Sequence, residues 1–179
     1  MPRFDPVSML RVLERHQVDY ILIGGLAATL HGSPLRTGDV DICPRAELDN
    51  LERLAAALTE MEARIRTVDA PGGLVFTCDA AFLHGMELLN LITQFGDMDI
   101  SLHPSGTSGY QDLERTKIQY ELEGLLVPVA SLADVIRSKE AANRNKDRQA
   151  LPTLRTLLEQ SKPPDGRCAS CPRSSPGGK

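Results

Sequence analysis

The stretch that most limits what this chain can fold into covers residues 20–43, Tyr-Ile-Leu-Ile-Gly-Gly-Leu-Ala-Ala-Thr-Leu-His-Gly-Ser-Pro-Leu-Arg-Thr-Gly-Asp-Val-Asp-Ile-Cys. The apolar run 18–23 is rich in β-branched residues and reads as a buried strand. It stops at Gly24-Gly25. Residues 26–30 give a short helical run, which His31-Gly32-Ser33-Pro34 ends. Residues 40–43 read as a second strand, entered through Asp39. Side chains alternate along a strand, so Asp39 and Asp41 leave on one face, about 6.6 Å apart along it. Val40 and Ile42 point the other way, into a core.

Two carboxylates side by side repel one another, so a positive group is expected between them. Hard oxygen ligands favour Mg²⁺ or Mn²⁺. The glycine turn supplies the complementary half of a phosphate site. Without a Cβ the backbone approaches a ligand closely, and the amides opening the next helix point outward as donors to an anion. Phosphate at one end and a divalent ion at the other imply nucleotide chemistry.

Ile23-Gly24-Gly25, thirteen intervening residues, then Asp39-Val40-Asp41-Ile42 resembles the signature of the DNA polymerase β-type nucleotidyltransferase superfamily. The approach Arg36-Thr37-Gly38-Asp39 and the strand–turn–helix–strand context strengthen the match. The resemblance implies an α+β fold, with a mixed central β-sheet flanked by helices and closed by C-terminal helices. It also implies a third carboxylate on a neighbouring strand. Residues 87–94 read as a strand, Phe95-Gly96-Asp97 as a hairpin turn and residues 98–102 as the return strand. Asp97 then belongs to the turn, where Asp is common for backbone reasons. Asp99, between Met98 and Ile100, has the apolar–acid–apolar form of the third motif and is the expected partner of Asp39 and Asp41.

The remaining elements follow from periodicity. Asp5-Pro6 opens a helix reaching about His16, with Val7, Leu10 and Leu13 at helical spacing. Residues 45–63 carry a continuous apolar stripe through Leu48, Leu51, Leu54, Leu58 and Met61. Residues 70–73 form a turn and 74–77 a short strand, and 79–84 allow a helical turn. The loop 103–109 leads to a short helix, where Tyr110 is a surface-packing residue or, less readily, a base-stacking one. Residues 117–122 and 125–129 form a hairpin around Glu123-Gly124. Ser131 caps a helix to about Asn143, with Lys139 directed toward the sheet. A last helix starts near Lys146. The block Ser138-Lys139 to Arg144-x-Lys146-Asp147 resembles the C-terminal helix motif of the AbiEii-like, toxin–antitoxin branch of the superfamily.

The 179 residues suit one domain, expected over residues 1–160. Residues 161–179, rich in Pro, Gly and Ser, read as a disordered tail. Its Cys168 and Cys171 form a CxxC with no second pair nearby for zinc. No apolar run reaches membrane-spanning length and the start of the chain lacks a signal peptide, so no membrane partner is expected and a cytoplasmic location is. Cys43 and Cys78 lie in apolar contexts and read as reduced core residues. The net charge of −4 argues against an indiscriminate nucleic-acid binder. The basic residues between Arg137 and Arg155 form a local exception.

What the motif implies is a metal-dependent nucleotidyltransferase. Asp39, Asp41 and Asp99 would bind two divalent ions, Mg²⁺ or Mn²⁺. Gly24 and Gly25 would cradle phosphate oxygens of an NTP such as ATP, beside Arg36 and Thr37. Lys139, with Lys146 or Arg36, would neutralise the leaving group. Arg36 is equally readable as an ion-pair partner of a motif aspartate. The AbiEii-like resemblance implies RNA such as tRNA as acceptor, and a cognate antitoxin. The alternatives are a small acceptor such as an aminoglycoside-like antibiotic, favoured by an acidic cleft rim, or a catalytically idle nucleotide-binding module.

Overall fold

The computed structural model describes residues 4–161, so the expectations for Cys168, Cys171 and the tail lie outside the described residues. Helix α1 (Pro6–Arg15) begins where expected, with the Asp5 carboxylate accepting from Ser8 N at 3.0 Å. Then come β1 (Tyr20–Ile23), α2 (Gly24–Leu30), β2 (Asp39–Pro44), α3 (Leu48–Glu60), β3 (Arg64–Ile65) and α4 (Ala80–His84). The second half holds β4 (Leu88–Thr93), β5 (Gly96–Ser101), α5 (Tyr110–Glu114), β6 (Ile118–Leu122), β7 (Leu125–Val129), α6 (Leu132–Ala142) and α7 (Asn145–Ser161).

The strands form one seven-stranded sheet in the order β3-β4-β5-β2-β1-β7-β6. The β2–β5 and β1–β7 pairs are parallel and the other four antiparallel. This is the mixed, helix-flanked sheet that the sequence led us to expect. The core takes Ile21, Leu22, Val40, Ile42, Leu91 and Met98 from the sheet. It takes Met9, Leu10 and Leu13 from α1, and Leu51, Leu54 and Leu58 from α3. Burying such side chains contributes about 1.5–3 kcal/mol each, so the strand faces carrying them cannot slip register without exposing the core. Among the described residues no helix is long and apolar enough to cross a membrane.

Three local expectations need correction. Residues 74–77 are not a strand: Leu74 makes only an isolated bridge to Ile65, and Val75 is 81% exposed. The strand on that side is β3, only two residues long and held by β4, too short to show a period. The hairpin between β4 and β5 turns at Gln94-Phe95, with Thr93 paired to Gly96. Thr93 Oγ1 donates to Gly96 O at 2.8 Å and accepts from Phe95 N at 3.1 Å. Gly96, at φ +117, takes the left-handed conformation that closes the turn. Asp97 is therefore a strand residue, and its side chain shares a face with Asp99.

Candidate active site

The site is assembled where β1 gives way to α2. Ile23 is paired with Asp41, and the chain turns at Gly24 with φ +68. A Cβ at Gly24 would lie 2.0 Å from Asp41 Oδ2, and one at Gly25 would lie 2.5 Å from Thr37 Oγ1. The two glycines thus let Asp41 and Thr37 press against the turn. The Gly25 amide faces Asp41 Oδ2 at 3.4 Å. Thr37 Oγ1 donates to Asp39 Oδ1 at 2.7 Å, so Thr37 orients the first carboxylate of the motif.

The parallel pairing of β2 with β5 sets Asp39 opposite Asp97 and Asp41 opposite Asp99. Alternation puts all four on one face of the sheet, while Val40, Ile42, Met98 and Ile100 fill the other side. Ligand atoms of Asp39, Asp41 and Asp99 lie within 4.8 Å of one another. Burial, with Asp39 and then Asp99 close by, pushes the Asp41 carboxyl up to about 6 against the opposing Gly25 amide and Lys146 charge. Burial also raises Asp99, aided by Asp39 and Asp97 and opposed by Arg66 and Lys146. A pocket that disfavours its own negative charges fits a divalent cation, and three carboxylates are the hard donors that Mg²⁺ or Mn²⁺ takes.

The cations around this face arrive from three directions. Arg66, just past β3, bonds Asp97 at 2.5 Å and Asp99 at 2.7 Å. Asn90, across from Asp99 on β4, donates to both Asp99 oxygens at 3.1 and 3.2 Å when its amide nitrogen faces them. From the C-terminal helices, the fully buried Asp147 receives Lys139 Nζ at 3.2 Å and Arg144 Nε at 2.7 Å. Lys146 is exposed beside them. Arg36 is exposed and forms no ion pair with a motif aspartate among the described residues.

Two cavities open on either side of Asp41. One, of about 410 Å³, is lined by Gly24, Gly25, Arg36, Thr37, Asp39 and Lys146, with Gln149 of α7. The other, of about 340 Å³, is lined by Glu87, Asn90, Asp99, His103, Asp134 and Ser138. Gly24, Asp41, Lys139 and Arg144 belong to both. Every residue expected at the site therefore reaches one cavity or the other. Tyr110 reaches neither: it lines a separate concavity with Glu14 and Asp19, and its hydroxyl donates to Glu114 at 3.2 Å. Sequence pattern alone does not mark Arg66, Asn90 or Glu87. Asn90's alternation in step with Asp99 was the one available signal.

No family profile matches the chain, and no curated protein sequence does. Solved structures do match. The lincosamide antibiotic adenylyltransferase LnuA, lincomycin-bound, superposes with a TM-score of 0.56 at 16% identity, over 84% of this chain and 94% of that one. The antibiotic-resistance factor ANT(2'')-Ia gives 0.53 at 14% identity, over 84% of this chain and 80% of that one. An antigenic nucleotidyltransferase-like protein from Paracoccidioides brasiliensis gives 0.53 at 16% identity, over 88% and 75%. The chain has the nucleotidyltransferase fold. At these identities the likeness is one of architecture, and the carboxylate cluster lies on the β2 and β5 strands of that architecture.

Proposed function

We propose that the protein transfers a nucleoside monophosphate from an NTP to an acceptor hydroxyl. The observation that carries this reading is the convergence of Asp39, Asp41 and Asp99 at the border between two cavities. The cavity with Gly24, Gly25, Arg36, Thr37 and Lys146 takes the triphosphate, whose negative charge its backbone amides and cations balance. The cavity with Asp99 takes the acceptor. Asp39, Asp41 and Asp99 would hold the divalent metal, which when bound neutralises phosphate charge and makes the acceptor hydroxyl more acidic. Asp99 would accept the hydroxyl proton. The hydroxyl oxygen bonds the α-phosphorus, the bond to the β-phosphate oxygen breaks, and pyrophosphate leaves. Lys139 and Arg144, at the mouth shared by both cavities, offset the charge on the departing group.

A small polar acceptor suits the second cavity better than RNA. Its rim carries the exposed Glu87, which holds His103 at 3.1 Å, with Asp99 deeper in the cavity, and these carboxylates favour a cationic, hydroxyl-rich molecule. The basic run of α6 and α7 is largely engaged within the chain. Arg137 bonds Asp112 and Asp134, Arg155 bonds Glu140, and Arg148 bonds Asn143. LnuA and ANT(2'')-Ia, by their names an antibiotic adenylyltransferase and an antibiotic-resistance factor, support the same choice. A second reading, an AbiEii-like toxin acting on tRNA and held by an antitoxin, keeps the exposed Arg36 and Lys146 in its favour. Incubation with α-labelled NTPs and Mg²⁺, in parallel with a panel of hydroxylated amines and with total RNA, decides between them. Label is expected in a small acceptor. Label in RNA alone would replace this acceptor with the second reading, and no pyrophosphate release with any acceptor would point to an idle module.

A further inference from the structure

Asp97 and Arg66 are the two charged groups on the acidic face that nucleotidyl transfer does not use. Arg66 is fixed at its backbone, where its amide donates to Asn90 O at 2.8 Å and so prolongs the β3–β4 ladder. Its guanidinium then spans two carboxylates, Nη1 on Asp97 Oδ2 and Nη2 on Asp99 Oδ1. The Asp97 side chain is 40% exposed and that of Asp99 18%. The same Asp99 belongs to the three-carboxylate cluster. The two roles compete. The guanidinium occupies one of the two Asp99 oxygens, and a fixed positive charge beside the cluster repels a divalent cation.

We propose that Arg66 is an internal cation that competes with divalent metal for Asp99, and that Asp97 is the anchor that keeps Arg66 on the strand when Asp99 turns to the metal. Without metal, Arg66 offsets repulsion among four carboxylates that strand pairing forces onto one face. With metal, Asp99 Oδ1 leaves Nη2, and Nη1 remains on Asp97. A lone carboxylate needs no second acid beside it, so this division of labour explains why Asp97 and Asp99 both face Arg66. Because the Arg66 amide stays on Asn90 O and Nη1 stays on Asp97, the release turns the Asp99 side chain and leaves both the strand end and the core in place.

The inference rests on the metal role of the three aspartates, and the test separates the two. Mn²⁺ binding to the full chain is followed by the loss of free-Mn²⁺ electron spin resonance signal without nucleotide. Melting of the metal-free chain is followed by circular dichroism. Arg66→Gln is expected to bind Mn²⁺ about fivefold tighter or more, as expected for removing one charge a few ångströms away even at high dielectric. Its metal-free melting temperature is expected to fall and its gain on adding Mn²⁺ to grow. Arg66→Lys keeps the charge but spans one carboxylate only, so it should bind Mn²⁺ more tightly than wild type and less tightly than Arg66→Gln. It also decides the matter if Arg66→Gln does not fold. Arg64→Gln, the same charge removed two residues earlier on β3, controls for long-range field and should change Mn²⁺ affinity less than twofold. Unchanged or weaker Mn²⁺ binding by both Arg66 variants, or an equal gain in Arg64→Gln, overturns the proposal while leaving the metal site standing. No Mn²⁺ binding by wild type or any variant overturns both.

Discussion

Asp41 and Asp147 are both withdrawn from water, yet the chain treats them in opposite ways. Asp147 is fully buried on α7, and burial alone would raise its carboxyl. The bonds from Arg144 and Lys139 outweigh that and hold it below the usual carboxylate range. Asp41, on β2, has neighbouring carboxylates, an amide at 3.4 Å and the more distant Lys146 charge, and burial lifts it to about 6. The chain completes the charge of Asp147 with its own cations, which makes Asp147 a structural acid. It leaves the charge of Asp41 incomplete, which is the condition for recruiting an external cation. Two acids shielded from water thus separate by what stands beside them, and shielding alone does not distinguish function from architecture.

The comparison can be broken by exchanging what each acid lacks. Asp41→Asn should lower nucleotidyl transfer by about a thousandfold or more, since metal stabilisation is worth several kcal/mol and each ~1.4 kcal/mol is tenfold. It should also melt at a higher temperature than wild type in chelator at pH 7.5. A variant that turns over normally would remove Asp41 from the chemistry. Asp147→Asn strips a buried anion from two cations, so stability should fall by about 3–5 kcal/mol, read as a Tm loss of roughly 6–20 °C. A near-neutral outcome would mean that Lys139 and Arg144 find water instead, and the contrast between the two acids would dissolve.

The pH dependence sharpens the same contrast. Asp41 titrates near 6 in the folded chain and near its ordinary value when unfolded. Between about pH 4 and pH 6 the folded state therefore holds a proton that the unfolded state has lost. Stability of the metal-free chain should fall as the pH rises through that window, by about 2–3 kcal/mol from this group. Asp41→Asn should flatten the fall, which urea titrations at a series of pH values would measure. The smallest effect is expected at Tyr110. Tyr110→Phe removes one hydroxyl bonded to Glu114, at a cost of about 1 kcal/mol or less, with turnover unchanged. A loss of activity there would extend the site to a face where neither cavity lies.

Much of the fold was legible because the informative residues act over short stretches. β1 announces itself by Val18 to Ile23, β2 by alternation around Asp39 and Asp41, and α6 by the Ser131 cap, whose Oγ accepts from Asp134 N at 3.2 Å. The strand position of Asp99 was legible for the same reason, between Met98 and Ile100. Asp97 was misplaced because Phe95-Gly96-Asp97 has turn composition. The real turn was set instead by Thr93, a side chain that bonds across the corner. Arg66 and β3 were illegible because two residues have no period, and only the neighbouring strand gives them one. The acceptor cavity gathers Glu87, Asp99, His103 and Asp134 from separate elements, and sequence does not state such neighbourhoods.

The parallel β2–β5 pair carries a further consequence, for the order in which the molecule comes into being. Asp41 and Asp99 are partners across it, 99 − 41 = 58 positions apart along the chain. Closing a loop of that size costs roughly 3.6 kcal/mol of chain entropy beyond a constant, with the intervening α3, β3 and β4 as part of what must be threaded into place. Contacts this distant form late and slowly. During synthesis the chain that has emitted only β1, α2 and β2 holds two acids and no site. The proposed metal site would exist only once the centre of the sheet has closed, so a metal ion added to refolding protein would then act as a clock for that closure.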